Sequence, residues 1–119
     1  MKILVIEDDS ALTDILEEFL ALEGYSRIVF PAAGDIISKI TAYQPDLVLL
    51  DYHLPEENGA QICRQIKEAG IHLPVILFSA FPKSQVGAGH AHCDLFVEKP
   101  FDLDELSAKI HGLIAQYAQ

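Results

Sequence analysis

The chain has 119 residues, half of them hydrophobic, with 18 acidic and 8 basic side chains and a formal net charge of -10. That length suits one domain with a single core. A field of that sign repels nucleic acid and anionic membranes, so neither is an expected direct partner.

No apolar run approaches a membrane span, and Met1-Lys2 runs straight into Ile3-Leu4-Val5-Ile6 without a signal-peptide layout, so a cytoplasmic protein is expected. Short apolar runs alternate with helical patterns, as in a parallel sheet with crossover helices. Ile3 to Ile6 reads as a first strand buried on both faces. A helix follows, with Ser10 as its N-cap, Leu12, Ile15, Leu16 and Phe19 on one face, and Gly24 closing it. Arg27 to Phe30 is a weaker strand, placed at the sheet edge. Asp35 to Ala42 carries Ile36, Ile37 and Ile40 at helical spacing, and Leu47 to Leu50 is a buried third strand. A loop from Tyr52 to Asn58 leads into a helix over residues 59–69, whose inner face holds Ile62, Cys63, Ile66 and Ala69. Val75 to Phe78 and Leu95 to Val97 supply the fourth and fifth strands. Asp102 and Glu105 open the last helix in a capping-box arrangement, and Leu103, Leu106, Ile110, Leu113 and Ile114 form its buried stripe. Two cysteines, Cys63 and Cys93, make no disulfide framework and read as reduced thiols packed as small hydrophobes.

Acidic groups follow two of these strands: Glu7 and Asp8 the first, Asp51 the third. In open parallel sheets, ligands bind beyond the carboxyl ends of the strands, where the strand order reverses. With the order 2-1-3-4-5 that point lies between strands one and three, and the acids converge there. Mutually repelling carboxylates invite a hard dication with oxygen ligands and retained waters, which describes Mg²⁺ (or Mn²⁺). Ser79 ends strand four with a hydroxyl, and Lys99 follows strand five with a cation. Such a set neutralises the charge of a transferring phosphoryl group.

The runs Ile3-Leu4-Val5-Ile6-Glu7-Asp8-Asp9, Leu49-Leu50-Asp51-Tyr52-His53-Leu54-Pro55-Glu56-Glu57-Asn58-Gly59, Ser79-Ala80 and Lys99-Pro100-Phe101 follow in that order. Together they resemble the response-regulator receiver domain over essentially the whole chain. The resemblance implies a flavodoxin-like, doubly wound α/β fold with a five-stranded parallel sheet, order 2-1-3-4-5, occupying residues 1–119 as a single domain. It implies Asp51 as the phosphoacceptor for a histidine kinase or phosphotransfer protein. Asp8 would be the direct metal ligand, Glu7 its acidic partner through water, and His53 would offer its backbone carbonyl to the metal. Ser79 would hydrogen-bond a phosphoryl oxygen, with the Ala80 backbone N–H as a second donor. Lys99 would pair with the acceptor carboxylate and then with the phosphate. A cis peptide is implied at Lys99-Pro100. Phe96 takes the place of the switch aromatic, which turns inward when the hydroxyl residue moves toward phosphate. Such a domain is no enzyme in the usual sense: it catalyses its own phosphorylation and slow dephosphorylation, and signals to a downstream protein the sequence does not name.

Asp9 reads as an acid near the first helix's start that favours its N-terminal dipole, outside the metal's ligands, and His90, His92 and Cys93 as a solvated loop rather than a zinc site. Two rival readings are weaker. An inactive pseudo-receiver that only binds partners would not need all the reactive side chains, which are present. A metal-dependent phosphatase with an aspartyl nucleophile would carry Asp-x-Asp after the first strand and need a cap; here Glu7-Asp8-Asp9-Ser10 follows, in a short chain. A stand-alone protein and a receiver from a longer regulator would read alike. Two departures from the family stand out. His53 and Phe81 occupy the positions that flank an attacking water, and bulky Phe81 is expected to shield an acyl phosphate. The span from Phe81 to Asp94 is short for the family, and Val86 is its one large aliphatic residue. Gly87 and Gly89 each cost roughly 1 kcal/mol relative to Ala inside a helix, so a fourth helix there is expected to be short or irregular.

Overall fold

Strands β1 (Lys2–Ile6), β2 (Ser26–Phe30), β3 (Leu47–Asp51), β4 (Val75–Ser79) and β5 (Leu95–Glu98) form one parallel sheet in the order β2-β1-β3-β4-β5. The structure is a computed structural model that describes residues 1–54, 58–82 and 93–118. Helices α1 (Ser10–Leu22), α2 (Ile36–Tyr43), α3 (Gly59–Glu68) and α4 (Leu103–Tyr117) connect or follow the strands. Topology and parallel sense are those expected from the sequence. The segment expected to hold a short or irregular helix, between the fourth and fifth strands, lies mostly outside the described residues, as do His90 and His92.

The sheet is covered on both faces, which explains the unbroken apolar runs. Successive strand residues point to opposite sides. Leu4, Ile6, Val48, Leu50, Val75 and Leu77 therefore pack with Ile36, Ile40, Ile62 and Ile66 of α2 and α3. The alternate set, Ile3, Val5, Leu47, Leu49, Ile76 and Phe78, packs with Leu16 and Leu20 of α1 and Leu106, Ile110 and Leu113 of α4. β3 and β4 are buried at every position, whereas β2, at the edge, is exposed or half-buried along its length.

Local differences from the sequence reading have local causes. Asp9, not Ser10, is the N-cap of α1, its carboxylate accepting from the Ala11 and Leu12 N–H groups. Ile15 is exposed, because Leu16 and Leu20 point at the sheet instead. Ala69 caps α3 on the exposed side rather than extending its buried stripe. A reciprocal capping box forms at α3, between Asn58 and Gln61; at α4, Asp102 accepts from the Asp104 and Glu105 N–H groups.

Cys63 and Cys93 are joined in a disulfide, with their Cα atoms 5.9 Å apart. This corrects the expectation of two reduced thiols. The inward stripe of α3 and the turn before β5 meet on one face of the sheet, a proximity hidden by a sequence separation of 30.

Candidate functional site

The sheet ladders bring the site together, and the backbone bonds continue just past the strands. Ile6 stands beside Leu50, Asp51 beside Phe78, and Ser79 beside Glu98. One step further, Glu7 N–H donates to the Phe30 carbonyl at 3.0 Å, Tyr52 N–H to Phe78 at 2.9 Å, and Lys99 N–H to Ser79 at 2.7 Å. Parallel strands with matched ends therefore deliver Glu7, Asp51, Ser79 and Lys99 to a single edge. It lies at the reversal of strand order between β1 and β3, where such sheets bind ligands.

Carboxylate oxygens of Glu7, Asp8 and Asp51 lie within 4.8 Å of one another. Glu7 and Asp51 are buried, and Asp8 is open to solvent. Lys99 Nζ sits 2.7 Å from Glu7 Oε1 and 3.4 Å from Asp51 Oδ1. Lys99 thus contacts the Asp51 carboxylate, the pair the family resemblance implied, and lies closer still to Glu7. Burial pushes the Glu7 carboxyl above its ordinary range, the neighbouring Asp51 pushes it the same way, and Lys99 pulls it back. Glu7 also accepts from the Asp8 N–H at 2.9 Å, which fixes the turn after β1.

The donor set fits a hard dication. Three carboxylates within reach of one another, two of them buried, are costly to ionise together unless a cation or a proton sits among them. A single lysine offsets part of that charge and leaves room for the rest. Asp9 belongs to the α1 cap and is not one of the three.

The remaining residues frame the mouth. His53 N–H donates to Asp51 Oδ1 at 3.3 Å, and this amide is the His53 backbone group seen in contact with the acid. Ser79 is wholly buried, its hydroxyl oxygen accepting from the Phe81 N–H at 2.9 Å. Ala80, beside it, is exposed. The His53 and Phe81 rings stand 4.5 Å apart, and Tyr52 packs edge-on against His53. Phe96, on β5, is half-buried and packs against the same cluster as Cys63 and Cys93. The Lys99–Pro100 peptide is cis. At the start of α3, Gly59 N–H donates to the Tyr52 carbonyl, and a Cβ at Gly59 would lie 2.6 Å from Leu77 and 2.9 Å from the Tyr52 Cα. Only a glycine lets α3 begin this close to the end of β3.

Two features escaped sequence reasoning. One is the disulfide. The other is a polar cluster at the opposite edge of the sheet, where Lys67 contacts Asp94 at 3.2 Å and Asp94 accepts from the Val75 N–H at 2.7 Å and from the Tyr117 hydroxyl. His72 packs on the Tyr117 ring, and His111 lies 3.3 Å from the Tyr25 hydroxyl, so both histidines have partners. No local motif marks such pairs, since their members are far apart in sequence.

A family model described as the response regulator receiver domain matches residues 3–111. Response regulator MprA of Mycobacterium avium (strain 104) is 32% identical over 116 residues, covering 96% of this chain and 51% of that protein. MprA of Mycobacterium leprae (strain TN) is 31% identical over 116 residues, with the same shares of each chain. The chain thus spans about half the length of the curated relatives it matches. Among solved structures, a CheY-like response regulator receiver domain protein from Methanospirillum hungatei JF-1 superposes with a TM-score of 0.90 at 24% identity, covering 98% of this chain and 95% of that one. Response regulator protein TrrA from Thermotoga maritima, solved in complex with Mg²⁺-BeF, gives a TM-score of 0.86 at 28% identity, covering 94% and 97%.

Proposed function

The chain belongs to the response regulator receiver domain family of two-component systems, and from that premise we propose that it accepts a phosphoryl group on Asp51 from a histidine kinase or phosphotransfer protein. The observation that carries the reading is the convergence of Glu7, Asp8 and Asp51 within 4.8 Å, with Lys99 in contact with two of them. A buried carboxylate held by a backbone amide on one side and an ammonium on the other supports this reading, in which it would attack the donor's phosphorus. The Asp51–phosphorus bond forms as the phosphorus–nitrogen bond of the donor breaks, and the imidazole takes the leaving electron pair.

Asp8, Asp51 and the His53 carbonyl would hold Mg²⁺ or Mn²⁺, with Glu7 acting through water; TrrA, solved with Mg²⁺-BeF, supports the choice of ion. When bound, the dication supplies charge neutralisation for the phosphoryl oxygens. Lys99 would turn from Glu7 and Asp51 toward the new phosphate. The Ser79 hydroxyl would leave the Phe81 amide to donate to a phosphoryl oxygen, beside the Ala80 N–H. Phe96 would follow Ser79 inward, changing the surface a downstream protein reads. An apolar groove of about 570 Å³, lined in part by Leu12, Ile15, Pro100 and Phe101, opens beside Lys99 and offers the phosphodonor a place to dock. No described helix is long and apolar enough to cross a membrane. A receiver that acts in the cytoplasm and turns over no substrate beyond its own phosphate completes the proposal.

Intact mass spectrometry after incubation with acetyl phosphate and Mg²⁺ tests it. Wild type should gain one phosphoryl group, Asp51→Asn none, and Asp8→Asn should lose metal binding and labelling together. Undiminished labelling of Asp51→Asn would move the acceptor elsewhere. A wild type that stays unlabelled would favour the pseudo-receiver reading.

A further inference from the structure

We propose that Cys63 and Cys93 form a thiol-exchangeable modification site whose redox state sets the rate of phosphoryl acceptance at Asp51, the second half of this resting on the function proposed above. The pair is bonded across two separate elements, with Cα atoms 5.9 Å apart, inside the range a disulfide spans without backbone movement. In a cytoplasmic protein, glutathione and thioredoxin keep thiols reduced, and the disulfides that do form there are mostly transient or sensing.

The surroundings keep the two sulfurs adjacent whether or not they are bonded. Four residues beyond Cys63 on the same helix, Lys67 grips Asp94, the residue next to Cys93, at 3.2 Å. Asp94 is further fixed by its backbone N–H to the Val75 carbonyl at 3.0 Å, by the Val75 N–H to its carboxylate at 2.7 Å, and by Tyr117. The turn is thus anchored without the disulfide, and a reduced pair stays poised to close again.

Burial assigns the roles. Cys63 is wholly buried, whereas Cys93 is only partly buried. A small-molecule disulfide such as oxidised glutathione is attacked by the Cys93 thiolate, forming a mixed disulfide and releasing one thiol. The Cys63 thiolate then attacks the Cys93 sulfur and releases the second thiol. The protein loses two protons and two electrons, and the small disulfide gains both. Reduction runs the same path backwards, with an external thiolate striking Cys93 first.

Position connects this chemistry to the phosphorylation site. The bond ties α3, whose first turn is pressed against the end of β3 at Gly59, to the start of β5, whose far end carries Lys99. Phe96 packs in the same cluster as both cysteines. A bond there restrains β5 against α3, so the oxidised protein should accept phosphate more slowly.

Purified reduced protein is titrated with defined ratios of reduced and oxidised glutathione, trapped by alkylation and weighed. Wild type should lose both free thiols together. Cys63→Ser should stall as a glutathione adduct at Cys93, and Cys93→Ser should stay unmodified. Two thiols that remain free at every ratio, or an adduct on Cys63 in Cys93→Ser, would overturn the site. The wild-type titration decides this even where a variant folds poorly. Labelling by acetyl phosphate is then timed for both redox states; reduced protein should react faster by roughly fivefold or more, the lower end of ordinary coupling between sites. A smaller ratio overturns the coupling. A protein that exchanges its disulfide as described but takes phosphate in neither state overturns the phosphoacceptor reading and the coupling with it, and leaves the exchange site standing.

Discussion

Glu7 is 1% exposed and faces Lys99 on one side and Asp51 on the other. Burial first, then Asp51, raise its carboxyl above the ordinary value of 4.5, so as pH rises the folded metal-free protein gives up this proton later than the unfolded chain does. The stability this group contributes is therefore fully present below that value and is lost as pH rises through the folded one. A dication among the three acids competes with that proton. Mg²⁺ should accordingly raise the urea midpoint more at a higher pH than at a lower one. An equal gain at both pH values, against a chelator control, would contradict this. Beside the acids, Phe81 is 43% exposed and its ring lies 4.5 Å from that of His53, and under the function proposed above it would shield an acyl phosphate on Asp51 from water. Phe81→Glu should shorten the half-life of the phosphorylated protein several-fold. An unchanged decay in the mass-spectrometric time course would remove the shielding role.

Helix α3 connects most of the features that matter. Its start is fixed by Gly59 against β3 and by the Asn58–Gln61 capping box, its middle by Ile62 and Ile66 in the core, and its end by Gly70 in the left-handed region at φ 75°. Cys63 adds a covalent tie from this helix to the turn before β5. Closing a loop of 30 residues restricts the unfolded chain, an effect of about 3–4 kcal/mol in the chain-entropy treatment. Reducing the bond should lower the unfolding free energy by about that amount, read from urea titrations with and without dithiothreitol. The double variant Cys63→Ser/Cys93→Ser should match reduced wild type and show no further response to reductant. Coincident curves for oxidised and reduced protein would show that the crosslink restrains nothing in the unfolded state.

Across the whole molecule, chemistry and architecture occupy opposite edges of the sheet. The carboxyl ends of the strands carry Glu7, Asp8, Asp51, Ser79 and Lys99, while the other edge is fastened by Lys67, Asp94, Val75 and Tyr117. Lys2 adds a backbone bond to Asp46 at 2.8 Å on that same edge. The net charge of -10 keeps much of the surface acidic, and at the site Lys99 sets a positive charge against Glu7 and Asp51.

The resemblance to the receiver family supplied the strand order; the pattern of the sequence itself determined the two-sided burial of β3 and β4 and the placing of Glu7, Asp8 and Asp51 at one end of the sheet. These follow from local rules: unbroken apolar runs mean strands covered on both faces, and acids directly after such runs must appear at one end of a parallel sheet. The tertiary structure decided what depends on distance between remote residues. It bonded Cys63 to Cys93, added Glu7 to Asp51 as a partner of Lys99, and gave His72 and His111 the rings of Tyr117 and Tyr25. It also placed the α1 cap on Asp9 rather than Ser10. Pattern along the chain fixes which face a residue points toward; which side chain waits on that face is set by how helices pack across the sheet, and no periodicity within one element carries that information.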